Sequence, residues 1–449
     1  MTTLDSDLNA PPSEHQHVLN ACREHDVRFV RLWFTDLLGQ LKSVAITIDE
    51  LPKALEKGVE FDGASIEGFA RHDESDMVAL PDPDTFVVLP WRPQQHRVAR
   101  MICDIRRRNG EAFEGDPRRI LRRQLESAQQ RGYTFYVAPQ IEYFYFKAPD
   151  DPSPLDSGGY FDLSPLDTAT DLRRETVLTL EEMGIAVESS HHEAAPSQHE
   201  IDLRYTDALT MADQVMTTRL VVKEVAIKQG VHATFMPKPL NSVNGSGMHV
   251  YLSLWDHEQN LFYEAGGGLS EIARSFLAGL LAYTPQFTLI TNQWSNSYKR
   301  LAPGTEAPVY LTWSHANQSD LVRIPEYDPS DSESTRLEYR GADSATNPYL
   351  AFSAFLAAGL RGIDEGLTPP PAAEDNVFEL TQAQRAERDI IEMPTTQGRA
   401  IDAFSSSELM KTVLGDYVWS TVLQNKRMEW DEYRSQVTDY ELRRYLAVL

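Results

Sequence analysis

The chain has 449 residues, of which 41% are hydrophobic and 24% charged, a composition that fits one large or two ordinary globular domains with a sizeable core. Its formal net charge of −25 argues against a nucleic-acid surface or an anionic membrane as partner, although a few local arginines can still hold an anionic substrate. Cys22 and Cys103 stand in no metal-like spacing, the start MTTLDSDLNAPPSEHQ carries no signal peptide, and no apolar run is long enough to span a bilayer, so the expected setting is reducing and cytoplasmic.

Residues 1 to 15 read as a loose, disordered polar tail. HVLNACREHDV predicts a helix, and VRFVRLWF (27–34) with KSVAITID (42–49) predicts a hairpin around TDLLGQ. ELPKALEKG (50–58) predicts a short helix closed by Gly58. VVLPWRP and ARMICDI add strands, so residues 16–109 form a small mixed unit dominated by paired strands. DPRRILRRQLESAQQRG (116–132) predicts an amphipathic helix capped by Asp116, opened by Pro117 and ended by Gly132. Arg118, Arg119, Arg122 and Arg123 are expected on its exposed face. The domain boundary falls before this helix, and residues 110–449 read as a second domain.

Downstream, long helices and strands alternate without regular βαβ repetition, an α+β pattern. A strand over 133–146 is followed by a Pro/Gly/Asp-rich loop (148–166) and the helix TATDLRRETVLTLEEMG (168–184). A strand run through HHEAAPSQHEIDLRY leads to the long helix TDALTMADQVMTTRLVVKEVAIKQG. EAGGGLS (264–270) lacks the lysine of a phosphate loop and reads as a flexible turn. SFLAGLLAYTPQFTLI (275–290) reads as a buried helix followed by a turn at Pro285.

Within PQIEYFYF (139–146), Gln140 and Glu142 lie two apart and share one strand face. A buried carboxylate without a partner is expensive, so either that face is wet or something sits between the two side chains. HHEAAPSQHEID sets Glu193 and Glu200 among His191, His192 and His199, NGSGMHVYLSL brings His249 to a strand start, and RLEYRGAD puts Arg336, Glu338 and Arg340 on one face. Carboxylate oxygens with one or two imidazoles are the donor set a hard divalent cation selects. Arg300 and Glu306 flank a Pro-Gly turn in NSYKRLAPGTEAPVYL, and Arg323 lies in DLVRIP; guanidinium groups grip carboxylate and phosphate oxygens in pairs. The sequence contains no P-loop, GxSxG, HExxH or cysteine nucleophile motif, so bound phosphates would be held by arginines and metal ions.

FDGAS (61–65), GGYFD (158–162), HHE…QHEID (191–202), NGSGMH (244–249), NSYKRLAPG with EAP (296–308), VRIP (322–325) and RLEYR…NPYL (336–350) resemble, in this order, the motifs of type I glutamine synthetases. The resemblance runs from about residue 25 to the C-terminal YELRRYL. It implies an N-terminal β-grasp-like domain and a catalytic domain whose antiparallel strands form a funnel. It also implies a homododecamer of two stacked six-membered rings, with active sites between subunits that use the loop carrying Asp62. The implied reaction is ATP-dependent ligation of an amine to the γ-carboxylate of L-glutamate through γ-glutamyl phosphate, a carbon–nitrogen ligase chemistry. Carried over by position, Glu142, Glu193 and Glu200 hold one magnesium or manganese ion, and His249, Glu338 and Gln140 a second. Arg300 and Arg340 bind glutamate, with Asn244 and Gly245 near its amino group. Arg323, Arg336, Gln318 and Ser253 contact ATP, and Arg323 is also counted as catalytic. Asp62, with Ser65 and Tyr160 nearby, binds and deprotonates the ammonium, and Glu306 closes over the intermediate.

Five positions depart from the pattern of the family or of some of its members. Gln140 stands where the family has glutamate, which implies a weaker second metal site completed by ATP oxygens. Gln318 stands where the family has arginine, a loss of charge that elsewhere lowers rates about 10²–10³-fold. Thr305 and Tyr251 also differ from the housekeeping enzymes, and Phe378 lies where some members carry an adenylylated tyrosine, so that control is expected to be absent. These departures lean the reading towards an amine larger than ammonia, such as a polyamine or ethanolamine. An ammonia-using glutamine synthetase and a catalytically impaired dodecameric scaffold are the alternatives. Neither nucleic acid nor membrane is expected as a partner.

Overall fold

The computed structural model describes the chain except for residues 1–13, 67–75, 94, 305, 327 and 329 and the side chain of Ser65. The expected tail, Thr305 and the Ser65 side chain therefore fall outside the described residues, save that residues 14 and 15 belong to the first helix. The chain divides into two compact units: residues up to Arg119 with Val177–Ile185, and Ile120–Thr176 with Ala186–Leu449.

The first unit contains α1 (Glu14–Glu24), β1 (Val27–Thr35), β2 (Leu41–Thr47), α2 (Leu51–Lys57), β3 (Val59–Asp62), β4 (Asp76–Pro81), β5 (Val87–Val88) and β6 (Arg97–Arg107). Its sheet runs β2-β1-β6-β4-β3, with β5 also on β6. The central pair β1/β6 is parallel and the other pairs are antiparallel. Val30, Leu32, Ala99 and Met101 of that pair are fully buried, and Val18, Cys22, Leu51 and Leu55 of the two helices join the core. This is the expected β-grasp-like unit. Of the strand read at VVLPWRP, only Val87–Val88 pairs.

The chain continues through α3 (Pro117–Gln130), β7 (Thr134–Ala148), β8 (Asp151–Pro154) and α4 (Thr170–Glu182). Asp116 caps α3 as expected, accepting the Arg118 N–H at 3.0 Å. Arg118, however, is not on an exposed face. It is 4% exposed, with Asp82 at 2.8 Å and Asp104 at 2.6 Å. Two carboxylates can share one guanidinium fork, which makes its burial affordable.

The second unit adds β9 (Val187–His192), β10 (Gln198–Leu203), β11 (Thr206–Asp207), α5 (Ala208–Lys228), β12 (His232–Thr234), β13 (Met248–Asp256), β14 (Gln259–Asn260), α6 (Glu271–Thr291) and α7 (Ser297–Arg300). Then follow β15 (Trp313–Ser314), β16 (Val322–Arg323), β17 (Leu337–Tyr339), α8 (Pro348–Asp364), α9 (Gln382–Glu387), α10 (Gln397–Ser405), α11 (Glu408–Ser435) and α12 (Asp439–Tyr445). The main path of its sheet is β15-β16-β17-β13-β7-β10-β9. The aromatic, β-branched β7 is its spine and pairs antiparallel with β13 and β10. The register places Glu200 opposite Glu142, both Asp202 and His249 opposite Gln140, and Arg323 opposite Glu338. Residues far apart in sequence thus become cross-strand neighbours.

The turn at 264–270 holds as read, with Gly266, Gly267 and Gly268 all at positive φ. The turn expected at Pro285 does not exist, because α6 continues through it to Thr291. The two turns of helix beyond it bury Phe287, Leu289 and Ile290, and that burial outweighs one missing N–H. α6 packs on α8 at bare backbone. A Cβ on Gly279 would stand 2.2 Å from the Ala358 carbonyl and 2.9 Å from the Gly362 Cα. Gly279→Ala is therefore expected to lower stability by about 1–3 kcal/mol, measured by chemical denaturation at fixed subunit concentration. An unchanged midpoint would mean that the two helices can separate freely.

Candidate active site

Strand alternation gathers Glu142, Glu200 and Asp202 around Gln140 on one face of β7 and β10. Glu142 is 7% exposed and Glu200 4%. One Glu142 oxygen accepts the Gly247 N–H at 2.7 Å and the Gln198 Nε2 at 2.9 Å. Gln140 donates its Nε2 to Glu200 at 3.3 Å. Glu193 accepts the Ala194 N–H at 3.0 Å, and its other oxygen lies 2.9 Å from His191 Nε2. Burial, followed by the Glu193 charge, pushes Glu142 up to about 8. Burial and the charges of Asp202, Glu142 and Glu193 push Glu200 well above the usual carboxylate range. His249 is pushed well below its ordinary value by burial and by Arg340, Arg300 and Arg323, which keeps the imidazole neutral and able to ligate. Donor atoms of Glu142, Glu200 and His249 lie within 4.8 Å of one another, and so do those of His191, Glu200 and Asp202. Oxygen-rich, mutually repelling and buried, this donor set fits a hard divalent cation.

Glu142, Glu193 and His249 share a narrow cleft with Asn244, Gly245, Arg300 and Glu306. Arg300 is 2% exposed, and its guanidinium donates to the carbonyls of Gly341 (3.2 Å) and Arg340 (3.3 Å). Gly247 leaves room for it, since a Cβ there would meet Arg300 Nη2 at 2.4 Å. Glu338 is fully buried between Arg323 and Arg340, each at 2.5 Å, and lies 3.8 Å from His249. Arg340 also donates to the Gln318 carbonyl at 3.0 Å, whereas Gln318 as a residue is exposed.

A second cavity of about 250 Å³ contains Ser253, Arg336 and Tyr251, with Arg336 lying over the Tyr251 ring at 4.3 Å. Tyr136, Tyr205 and Trp255 complete an aromatic lining that sequence reasoning missed, because its members come from three separate segments. Tyr160 is 58% exposed, and its hydroxyl is pushed up by partial burial and by Glu193, Glu200 and Glu306. Asp62 belongs to the first unit, where it is exposed and accepts the Ala64 N–H at 3.0 Å. Asp202 was also missed, although HEID places it two residues from Glu200 and hence on the same face.

Two family descriptions match the chain: glutamine synthetase, beta-Grasp domain over residues 26–108, and glutamine synthetase, catalytic domain over residues 114–445. The glutamine synthetase of Mycolicibacterium smegmatis is 52% identical, over 97% of this chain and 99% of its own. That of Mycobacterium tuberculosis is 51% identical over the same shares. A cryo-EM structure of Plasmodium falciparum glutamine synthetase superposes with a TM-score of 0.88 at 25% identity, over 97% of this chain and 99% of its own.

Because Glu142 is pushed up to about 8 and Glu200 is raised as well, a cation that takes both carboxylates below pH 8 must displace protons. Apparent manganese affinity is expected to rise by about tenfold or more per pH unit between pH 6 and 8, with proton release seen by calorimetry in two buffers. A pH-independent affinity would contradict this. Gln140→Glu is expected to lower the half-saturating magnesium concentration roughly tenfold, since it adds a charge beside Glu200. An unchanged requirement would remove residue 140 from the metal site.

Proposed function

We propose, for a chain that belongs to the glutamine synthetase family and is therefore an ATP-dependent ligase of glutamate, that the amine it consumes is ammonia. The observation that carries this reading is its 52% identity to a glutamine synthetase across nearly the whole of both chains. The larger amine suggested by Gln140 and Gln318 gives way to it: glutamine in place of glutamate or arginine changes charge and by itself makes no room for an amine body.

In this reading Arg300 and Arg340 hold glutamate in the cleft, pre-oriented by the carbonyls and the carboxylate they already bond. Asn244 and Gly245 border its amino group. The aromatic cavity takes the base of ATP, Ser253 and Arg336 lie along the nucleotide, and Arg323 with the Gln318 segment faces its phosphates. The γ-carboxylate oxygen forms a bond to the terminal phosphorus as the bond to ADP breaks. Asp62 takes a proton from ammonium, ammonia attacks the γ-carbonyl carbon, and the carbon–oxygen bond to phosphate breaks, the departing phosphate taking up the second proton that the nitrogen loses, while Glu306 excludes water. Glu142, Glu193 and Glu200 would hold one divalent cation, magnesium or manganese, and His249, Glu338 and Gln140 a weaker second, supplying positive charge to the phosphate oxygens.

The domain boundary near residue 110 and a homododecamer with Asp62 serving a neighbouring site belong to the same reading. Exposed apolar side chains around α12, Val437 (72%), Leu446 (77%) and Val448 (79%), support an assembly that covers them. Phe378 packs on Tyr310 at 6.0 Å and offers no hydroxyl, which supports the absence of tyrosine adenylylation. Among the described residues no helix is long and apolar enough to cross a membrane, and a cytoplasmic setting completes the reading.

The test is phosphate release from ATP with glutamate and magnesium across ammonium, ethanolamine, short amines and polyamines. Release with ammonium is expected. Release only with a larger amine would restore the reading that Gln140 and Gln318 suggest, and no release with any amine would favour a scaffold.

A further inference from the structure

Behind the carboxylate face of β9 and β10 lies a second, fully buried polar cluster that the reaction does not use directly. His192 is 1% exposed, and each of its ring nitrogens meets an oxygen that can only accept. Nδ1 is 2.6 Å from the carbonyl of Glu193, and Nε2 is 3.1 Å from Asp156 Oδ1. The ring therefore links two segments. One is the strand end that carries Glu193. The other is the loop 155–162, whose apex is Tyr160.

Further bonds fasten the same loop to the same place. Asp156 Oδ1 also accepts the Ser197 N–H at 2.8 Å, and Ser197 Oγ accepts the N–H groups of Leu155 (2.5 Å) and Asp156 (3.2 Å). At the far end of the loop, Phe161 N–H donates to the His192 carbonyl at 3.1 Å. Between these anchors the loop lies flat on the imidazole, since a Cβ on Gly158 would stand 2.7 Å from His192 Nε2. Tyr160 then projects at the apex, stacked on Phe161 at 4.1 Å and edge-on to His191 at 5.5 Å. His191 in turn reaches Glu193 at 2.9 Å.

We infer that His192 is a positioning residue for the amine half of the reaction, clamping the Tyr160 loop to the strand end that carries Glu193. The inference rests on the reading that Tyr160 borders the amine. A displaced loop should then weaken the capture of ammonium while the nucleotide and glutamate subsites, built on β13, β17 and α7, stay as they are.

His192→Asn, Gly158→Ala and Asp156→Asn test this in the full-length protein. Asparagine at 192 can keep the bond to the Glu193 carbonyl while removing the one to Asp156. Alanine at 158 forces the loop off the ring and removes no bond. Asparagine at 156 keeps an accepting oxygen and should give the mildest effect. For the first two, the ammonium KM is expected to rise about tenfold or more, with the KM values for ATP and glutamate and the half-saturating magnesium within twofold. Hydrogen exchange at 155–162 should quicken while β10 stays protected. A fall in thermal stability with an unchanged ammonium KM would overturn the inference, as would an equal shift in magnesium requirement or unchanged exchange in the loop. Failure of the parent protein to turn over ammonium would instead overturn the functional reading, and the exchange measurement would still decide the clamp.

Discussion

Two carboxylates, Glu142 and Glu200, face each other across a pair of hydrogen-bonded strands, both nearly excluded from water. Like charges at that separation repel, and burial strengthens the repulsion. The surrounding residues answer it with donors: a backbone N–H and the Gln198 amide on Glu142, and the Gln140 amide on Glu200. Burial above all, then the Glu193 charge beside Glu142 and the Asp202 and Glu142 charges beside Glu200, lifts both groups above the usual carboxylate range. A divalent cation resolves the conflict more completely than protons can, so the face is built for an occupant.

Gln140 takes on a particular meaning in this setting. A carboxylate at that position would stand opposite Asp202 on one side and His249 on the other, beside Glu200. The amide donates to Glu200, which eases the crowding of carboxylates; on the proposed reading it also keeps an oxygen for coordination and offers a second ion less charge. Glu338 shows the same restraint, because its two oxygens are already engaged by Arg323 and Arg340. On the proposed reading, phosphate oxygens arriving with ATP would compete for those arginines and make up the missing charge. Nucleotide and second ion would then enter together.

Most of the face was legible before the fold was known. Strand alternation alone puts Gln140 with Glu142, and in HEID it puts Asp202 with Glu200. The caps at Asp116 and Gly58 followed from local chemistry, which depends on few neighbours. Other features depended on distant partners. Arg118 reads as a surface residue until Asp82 and Asp104 are brought beside it. Pro285 reads as a helix end until the apolar turns beyond it find a core to enter. The aromatic cavity and the His192–Asp156 link are tertiary in the same sense, and no local spacing announces either.

On the proposed reading the γ-carboxylate of glutamate itself attacks ATP, and oxygen transfer reports on that step. Glutamate carrying oxygen-18 in its γ-carboxylate would be supplied with ATP, magnesium and ammonium, and the released phosphate analysed by mass spectrometry. One labelled oxygen is expected in each phosphate formed with product, because the oxygen that attacks phosphorus leaves with it. Unlabelled phosphate alongside ligated product would contradict an acyl phosphate intermediate and, with it, the role given to this cleft.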